Sequence, residues 1–329
     1  MKKIFKAAAL ILALVLLLGV AACGKSSSKI RLSEVTHSVF YAPMYVAIEL
    51  GYFDEAGIEI ELTNAGGADK AMTAILASEA DIGLMGPEAA VYVYNEGREN
   101  HAVVFGQLTK RDGSFLMARE PMPDFTWEDV KGKSIIGGRK GGMPLMTLEY
   151  TLKKHGVEPG VDTEVFTHIQ FNLMGGAFEG GEGDFVTLFE PTASQFEAEG
   201  RGYIVASVGE SSGEVPFTAF MATKDFLEKN ADVAQTFIDT IQRAQTWVAQ
   251  SDPAEIAKVI LPHFPDTSID TLTAVAARYK EFDAWMTDPI MKRESFELLQ
   301  DIMMDAGELD KKADYDAVVD NSFAEKAPK

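Results

Sequence analysis

Glu79-Ala80-Asp81-Ile82-Gly83-Leu84-Met85-Gly86-Pro87-Glu88 and, further along, Glu182-Gly183-Asp184-Phe185-Val186-Thr187-Leu188-Phe189-Glu190-Pro191 share one pattern. Each is a turn of small and acidic residues, then a short apolar run, then a proline that opens a helix. A continuous apolar run between turn signals suits a strand buried on both faces. Proline is tolerated in the first helical turn because its missing N–H would have no partner there. Two such junctions predict two α/β blocks of similar build.

Reading outward from them gives the rest of the order. In the first block, strands are expected at Ile30–Val35, Ile58–Leu62, Ile82–Met85 and Val103–Leu108, with helices at Pro43–Leu50, Asp69–Ser78 and Glu88–Asn95. In the second, strands at Ser134–Gly137, Val165–Ile169, Phe185–Phe189 and, as the last strand, Tyr203–Val208 alternate with helices at Leu145–His155, Leu173–Glu179 and Thr192–Glu199. From Lys224 onward the tail is mostly helical. The alternation predicts mostly parallel sheets flanked by helices.

Composition narrows the function. The 329 residues carry 30 basic and 50 acidic side chains, a formal charge of -20, and no basic tract beyond the first few residues. A nucleic-acid binder needs a concentrated basic surface, so that class is excluded. One cysteine excludes an internal disulfide framework and a cysteine-based zinc site or redox pair. The five histidines have no metal-motif spacing, and no cofactor or metal is expected.

The start of the chain fixes the compartment. Lys2, Lys3 and Lys6 precede an apolar run from Ala7 to Val20, short for a membrane span and suited to a secretory leader. The run ends at Ala21-Ala22-Cys23, where the only cysteine follows two small residues. This resembles the lipobox of bacterial lipoproteins. It implies a signal peptide over 1–22, acylation of Cys23, and a lipid-anchored protein on the extracytoplasmic face of the membrane. Residues 23–29 are expected to be a flexible tether.

Candidate site residues cluster at strand-to-helix junctions, where ligands bind in open α/β sheets. Gly137-Gly138-Arg139-Lys140-Gly141-Gly142-Met143-Pro144 joins a glycine-rich turn, two cations and a helix start, so Arg139, Gly141, Gly142 and Met143 are candidates for a polar or anionic oxygen. The turn lacks both the Walker A and the dinucleotide-binding patterns. Gly67 begins a similar, weaker turn. His37, Ser38 and Tyr41 follow the first strand and offer hydrogen bonds beside an aromatic face, while Phe40 is expected in the core. Glu88, Glu190 and Glu214 are acids at element edges; Glu190 is the expected receiver of a ligand amino group, although carboxylates also favour helix starts for their own sake. No Gly-x-Ser-x-Gly, His-Glu-x-x-His or Ser-x-x-Lys motif is present.

With Tyr41-Ala42-Pro43-Met44-Tyr45-Val46-Ala47, Gly51-Tyr52-Phe53, Gly57-Ile58-Glu59-Ile60, Gly66-Gly67 and Glu190-Pro191, the chain resembles the extracytoplasmic solute-binding proteins of ABC importers. The resemblance is to the branch holding aliphatic-sulfonate, taurine and nitrate binders and thiamine-pyrimidine-precursor binders. It implies a two-lobe periplasmic-binding-protein fold of type II-like build with a helical C-terminal tail. Lobe 1 would comprise 30–112 and 214–329, and lobe 2 would comprise 113–213, with crossings near Lys110–Ser114 and Ser211–Pro216. It further implies a monomer that clamps a small organic solute between its lobes and hands it to a permease and its ATPase. Sulfonate-like anion and amino-pyrimidine both remain open as the solute. The alternative is an exported enzyme that acts on a small heterocycle in the same cleft.

Overall fold

The computed structural model describes residues 28–328. Signal peptide, Cys23 and most of the tether lie outside these residues. Two five-stranded sheets form the frame, in the orders β2-β1-β3-β10-β4 and β7-β6-β8-β5-β9. The first sheet contains β1 (Ser28–Glu34), β2 (Ile58–Asn64), β3 (Ile82–Met85), β4 (Ala102–Thr109) and β10 (Thr218–Thr223). The second contains β5 (Ser114–Ala118), β6 (Ser134–Ile136), β7 (Glu164–Phe166), β8 (Phe185–Phe189) and β9 (Tyr203–Ser207). We refer to the two sheets with their helices as lobe 1 and lobe 2.

The expected strands and helices are present, within a few residues at their ends. Strand β1 begins two residues earlier than read, so Ser28 and Lys29 pair with Ile58 and Glu59 instead of belonging to a tether.

The sheets are mixed. In lobe 1, β10 runs antiparallel to both β3 and β4, and in lobe 2, β5 runs antiparallel to both β8 and β9, while the remaining pairings among β1, β2 and β3 and among β6, β7 and β8 are parallel. Four strands of each sheet therefore share a direction and one opposes them. The sequence reading missed these two opposing strands and ended the strands at Val208. Both lie inside their sheets with every residue buried, so neither shows alternation. Their Ser, Met and Ala residues also add little strand propensity.

Each opposing strand follows a crossing between lobes. The first crossing, residues 110–113, is tightly built: Asp112 Oδ1 accepts the Ser114 N–H at 2.7 Å and the Ser114 hydroxyl at 2.6 Å. Burial without a positive partner pushes the Asp112 carboxyl up to about 7, against those two bonds. Gly209 lies against it so closely that a Cβ there would stand 2.9 Å from the Asp112 carbonyl carbon.

The tail packs largely against the first sheet and its helices. In helix Ala231–Gln250, Phe237, Ile238, Ile241, Ala244 and Val248 form one buried stripe, the i, i+3, i+4 spacing of a helix that packs on a core. Further along, Met286 N–H bonds to Leu108, Gln107 N–H to Pro289, and Asp320 N–H to Val104, so the tail covers the free edge of β4. Among the described residues no helix is long and apolar enough to cross a membrane.

Candidate functional site

The carboxyl ends of β1, β2, β3, β6 and β8 converge on a cavity of about 100 Å³ between the lobes. Lobe 1 contributes Val35 and Thr36 after β1, Gly66–Ala68 after β2, Gly86 and Glu88 after β3, together with Tyr41, Phe217 and Thr218. Lobe 2 contributes Gly138, Arg139 and Gly142–Pro144 after β6, Phe189 at the end of β8, and Phe171. The lining is mainly apolar and aromatic, the usual make-up of a small-molecule pocket.

One carboxyl group stands in this apolar setting. Glu88 opens helix Glu88–Asn95 and is 3% exposed, and its Oε2 has no hydrogen-bond partner. Burial pushes it up to about 7, opposed by the backbone N–H groups of Glu88 itself and of Met143 and by the charge of Arg139. The Met143 N–H belongs to the first turn of the lobe 2 helix Met143–Lys154, so a lobe 1 acid faces a lobe 2 helix start. Gly86 makes room for it: a Cβ at that position would stand 2.6 Å from Glu88 Cδ and overlap the carboxylate oxygens.

The other expected residues sort into three groups. Tyr41, Gly67, Glu88, Arg139, Gly142 and Met143 come together around the cavity. Tyr41 is buried, which raises its hydroxyl well above the usual phenol range. Arg139 reaches Asp69 of lobe 1 at 3.3 Å, across the cleft. Both side chains are more than half exposed, so their attraction is worth at most about 1 kcal/mol.

His37, Ser38 and Glu190 line an adjoining hollow of about 480 Å³ that shares Thr36, Phe171 and Phe189 with the cavity. His37 Nδ1 lies 2.7 Å from Glu34 Oε1, and its Nε2 lies 2.9 Å from the His263 carbonyl. The bond to Glu34 raises the imidazole above its ordinary value. The Ser38 hydroxyl donates to the Glu190 carbonyl at 2.7 Å and ties the lobes together. Glu190, the expected receiver of an amino group, does not line the cavity. Its carboxylate accepts the Ser194 N–H at 2.9 Å and the Ser194 hydroxyl at 2.8 Å, and pairs with Arg278. An acid with both oxygens bonded within the protein is a weaker acceptor for a solute than one with a free oxygen.

Gly141 and Glu214 lie apart. Glu214 pairs with Lys292 at 3.1 Å, near the second crossing. The Gly141 carbonyl accepts the hydroxyl of Tyr92 at 3.1 Å, another bond between lobes. Replacing Tyr92 with phenylalanine removes one neutral hydrogen bond, worth about 0.5–1.5 kcal/mol. If closure is required for binding, solute affinity should fall by about two- to tenfold while the melting temperature of the solute-free protein barely moves. Calorimetric titration of the variant checks this, and unchanged affinity would remove Tyr92 from the closing contacts.

The sequence reading missed Phe171, Phe189, Phe217 and Thr218. Phe189 ends a strand that was read, and its position beside Glu190 was the available signal. Thr218 begins β10 and Phe217 directly precedes it, where nothing alternates, and Phe171 sits in a short 3-10 turn with no periodicity.

Comparison with known proteins agrees with this architecture. A "Putative binding protein YtlA" of Bacillus subtilis (strain 168) is 43% identical over 313 residues, covering 94% of each chain. Among solved structures, a ligand-binding component of an ABC-type import system from Staphylococcus aureus superposes with a TM-score of 0.75 at 16% identity, covering 92% of this chain and 99% of that one. The alkanesulfonate-binding protein SsuA from Xanthomonas axonopodis pv. citri, bound to MOPS, gives a TM-score of 0.71 at 15% identity, covering 89% and 98%. These structures share the two-lobe periplasmic-binding-protein fold. The profile of the NMT1-like family matches residues 35–261, which spans most of both sheets and their crossings. Since that match covers more than half of the chain, the protein belongs to the NMT1-like family.

Proposed function

We propose that this protein is the solute-binding component of an ABC importer, and that it takes a small, flat, nitrogen-bearing organic solute into the cavity around Glu88. The observation that carries the reading is a buried carboxyl with a free oxygen, set among aromatic rings where the two lobes meet. The likeness to the S. aureus ABC-import component and to the alkanesulfonate-binding protein SsuA supports the importer role. The cavity chemistry argues against a sulfonate like those SsuA is described as binding. Once the acid is ionised, a sulfonate beside it in this low-dielectric space meets strong like-charge repulsion. An amino group would satisfy the free oxygen.

In this reading lobe 1 (30–112 and 214–329) and lobe 2 (113–213) close on the solute about the crossings, and the protein works as a monomer. It is held at the extracytoplasmic face by acylated Cys23 and passes the solute to a permease driven by an ATPase. After leader removal the body retains 27 basic and 50 acidic residues, a charge of -23, which disfavours lying flat on an anionic membrane. Metabolic labelling with a fatty-acid analogue should mark the native protein and not Cys23→Ala.

Native mass spectrometry of freshly purified protein tests the solute. A retained small amine-bearing ring, released unchanged on mild denaturation, is the expected result. A retained sulfonate overturns the class, and a chemically altered product would favour an exported enzyme acting on a heterocycle.

A further inference from the structure

The cavity contains a carboxyl group and no cation placed to neutralise it fully. The groups facing Glu88 are few. Tyr92 stands one turn along the same helix, and Tyr41 comes from the turn after β1; Glu88 acts electrostatically on both hydroxyls. Arg139 approaches from lobe 2, with its guanidinium already beside Asp69. No second carboxylate lines the cavity, and Oε2 of Glu88 is left without any donor. A charge in this position is costly, so the buried site favours a neutral acid.

We infer that Glu88 makes the cavity a proton-exchanging site selective for a flat cation of the amidine or aminopyridinium type. The inference rests on the reading of the cavity as the solute site and adds the charge state of what enters. Below about pH 7 the carboxyl of the solute-free protein holds its proton. When the solute arrives, the carboxyl O–H bond breaks, the proton leaves to solvent, and the solute's N–H groups bond to the resulting carboxylate. Tyr41, Phe171, Phe189 and Phe217 present aromatic surface that suits a planar cation. An anion of the same size is repelled by the carboxylate, so the selectivity for a cation is strongest above about pH 7, where Glu88 is ionised.

The affinity then depends on pH with a definite sign. Glu88 is pushed up to about 7, so a cation must expel a proton at pH 6 and finds the carboxylate ready at pH 8. Binding should therefore be about tenfold tighter at pH 8 than at pH 6. The test uses benzamidine as the cationic probe and benzenesulfonate as its anionic counterpart, with full-length protein stripped of retained solute. Calorimetry at pH 6 in two buffers of different ionisation heat should show nearly one proton released for each benzamidine bound. Glu88→Gln keeps the shape and removes the exchange; it should weaken benzamidine at pH 8 by more than tenfold and abolish proton release.

Asp112 is also buried at the crossing and pushed up to about 7, so the variant is the necessary control. Proton release that persists in Glu88→Gln assigns the effect elsewhere and overturns the inference. Benzenesulfonate bound more tightly than benzamidine at pH 8 overturns it too. If neither probe binds, the cationic class is wrong. The receptor reading is judged separately by whether native mass spectrometry finds a retained solute.

Discussion

Arg278→Ala should destabilise the protein by about 3–5 kcal/mol near pH 8. Glu190 is fully buried at the side chain, while Arg278 is 29% exposed and supplies the only cation against it among the described residues. Removing the arginine leaves Ser194 as the carboxylate's remaining support. Burial already raises Glu190 above the usual carboxylate range, with Arg278 the strongest opposing influence. Without the arginine it rises further. For an acid whose folded value lies above its unfolded one, the penalty is full above the folded value and shrinks as pH falls through it. Urea denaturation should therefore show a large deficit at pH 8 and a smaller one at pH 5. Adding Glu190→Gln to the variant should recover much of the loss at pH 8. A deficit below about 1 kcal/mol at pH 8 would mean that water or another group replaces the arginine. The position matters because Arg278 lies on the tail helix Ile269–Glu281, and Glu190 lies at the end of β8 in lobe 2.

Phe40→Ala should cost a similar amount, about 3–5 kcal/mol, as large aromatic truncations in packed cores do. Phe40 is fully buried, with the rings of Tyr41, Phe189, Phe217 and Tyr279 at 5.3–5.8 Å between centroids. Gly113 of the first crossing faces the ring, and a Cβ there would stand 2.6–2.8 Å from it. The ring thus fills space that belongs to lobe 1, lobe 2 and the crossing at once. Phe40→Leu should recover part of the loss, because it restores volume without the ring edges. Denaturant midpoints of the three proteins give the order. An alanine variant within 1 kcal/mol of wild type would show that the crossing collapses around the gap.

Most of the architecture was legible because it is local. The junctions at Met85–Glu88 and Phe189–Pro191 announce themselves through apolar runs, turn residues and proline. Two strands were not, because β5 and β10 sit between other strands and bury both faces. Nothing alternates along them, and only the pairing partners reveal their direction. The acid of the cavity shows the same division. Glu88 follows the proline of its junction and Glu190 precedes its own, but this order does not tell which acid is paired. What separates them is Arg278, which lies 88 positions from Glu190 in the chain. Glu214 likewise has its partner, Lys292, 78 positions away. Phe171 and Phe217 gather at the cavity only after the lobes face each other.

The interleaved strand β10 also sets an order in which the molecule can be assembled. Lobe 2 draws all five of its strands from the continuous stretch 114–207, so a nascent or translocating chain can complete that sheet early. Lobe 1 cannot. Its edge strand β4 has only β10 as a neighbour in the sheet, and β10 spans Thr218–Thr223. Until those residues emerge, β3 and β4 have unpaired edges, and until the tail follows, the far side of β4 remains bare. The exported chain therefore passes through a stage with one finished lobe and one open sheet, which is where a holding chaperone would act.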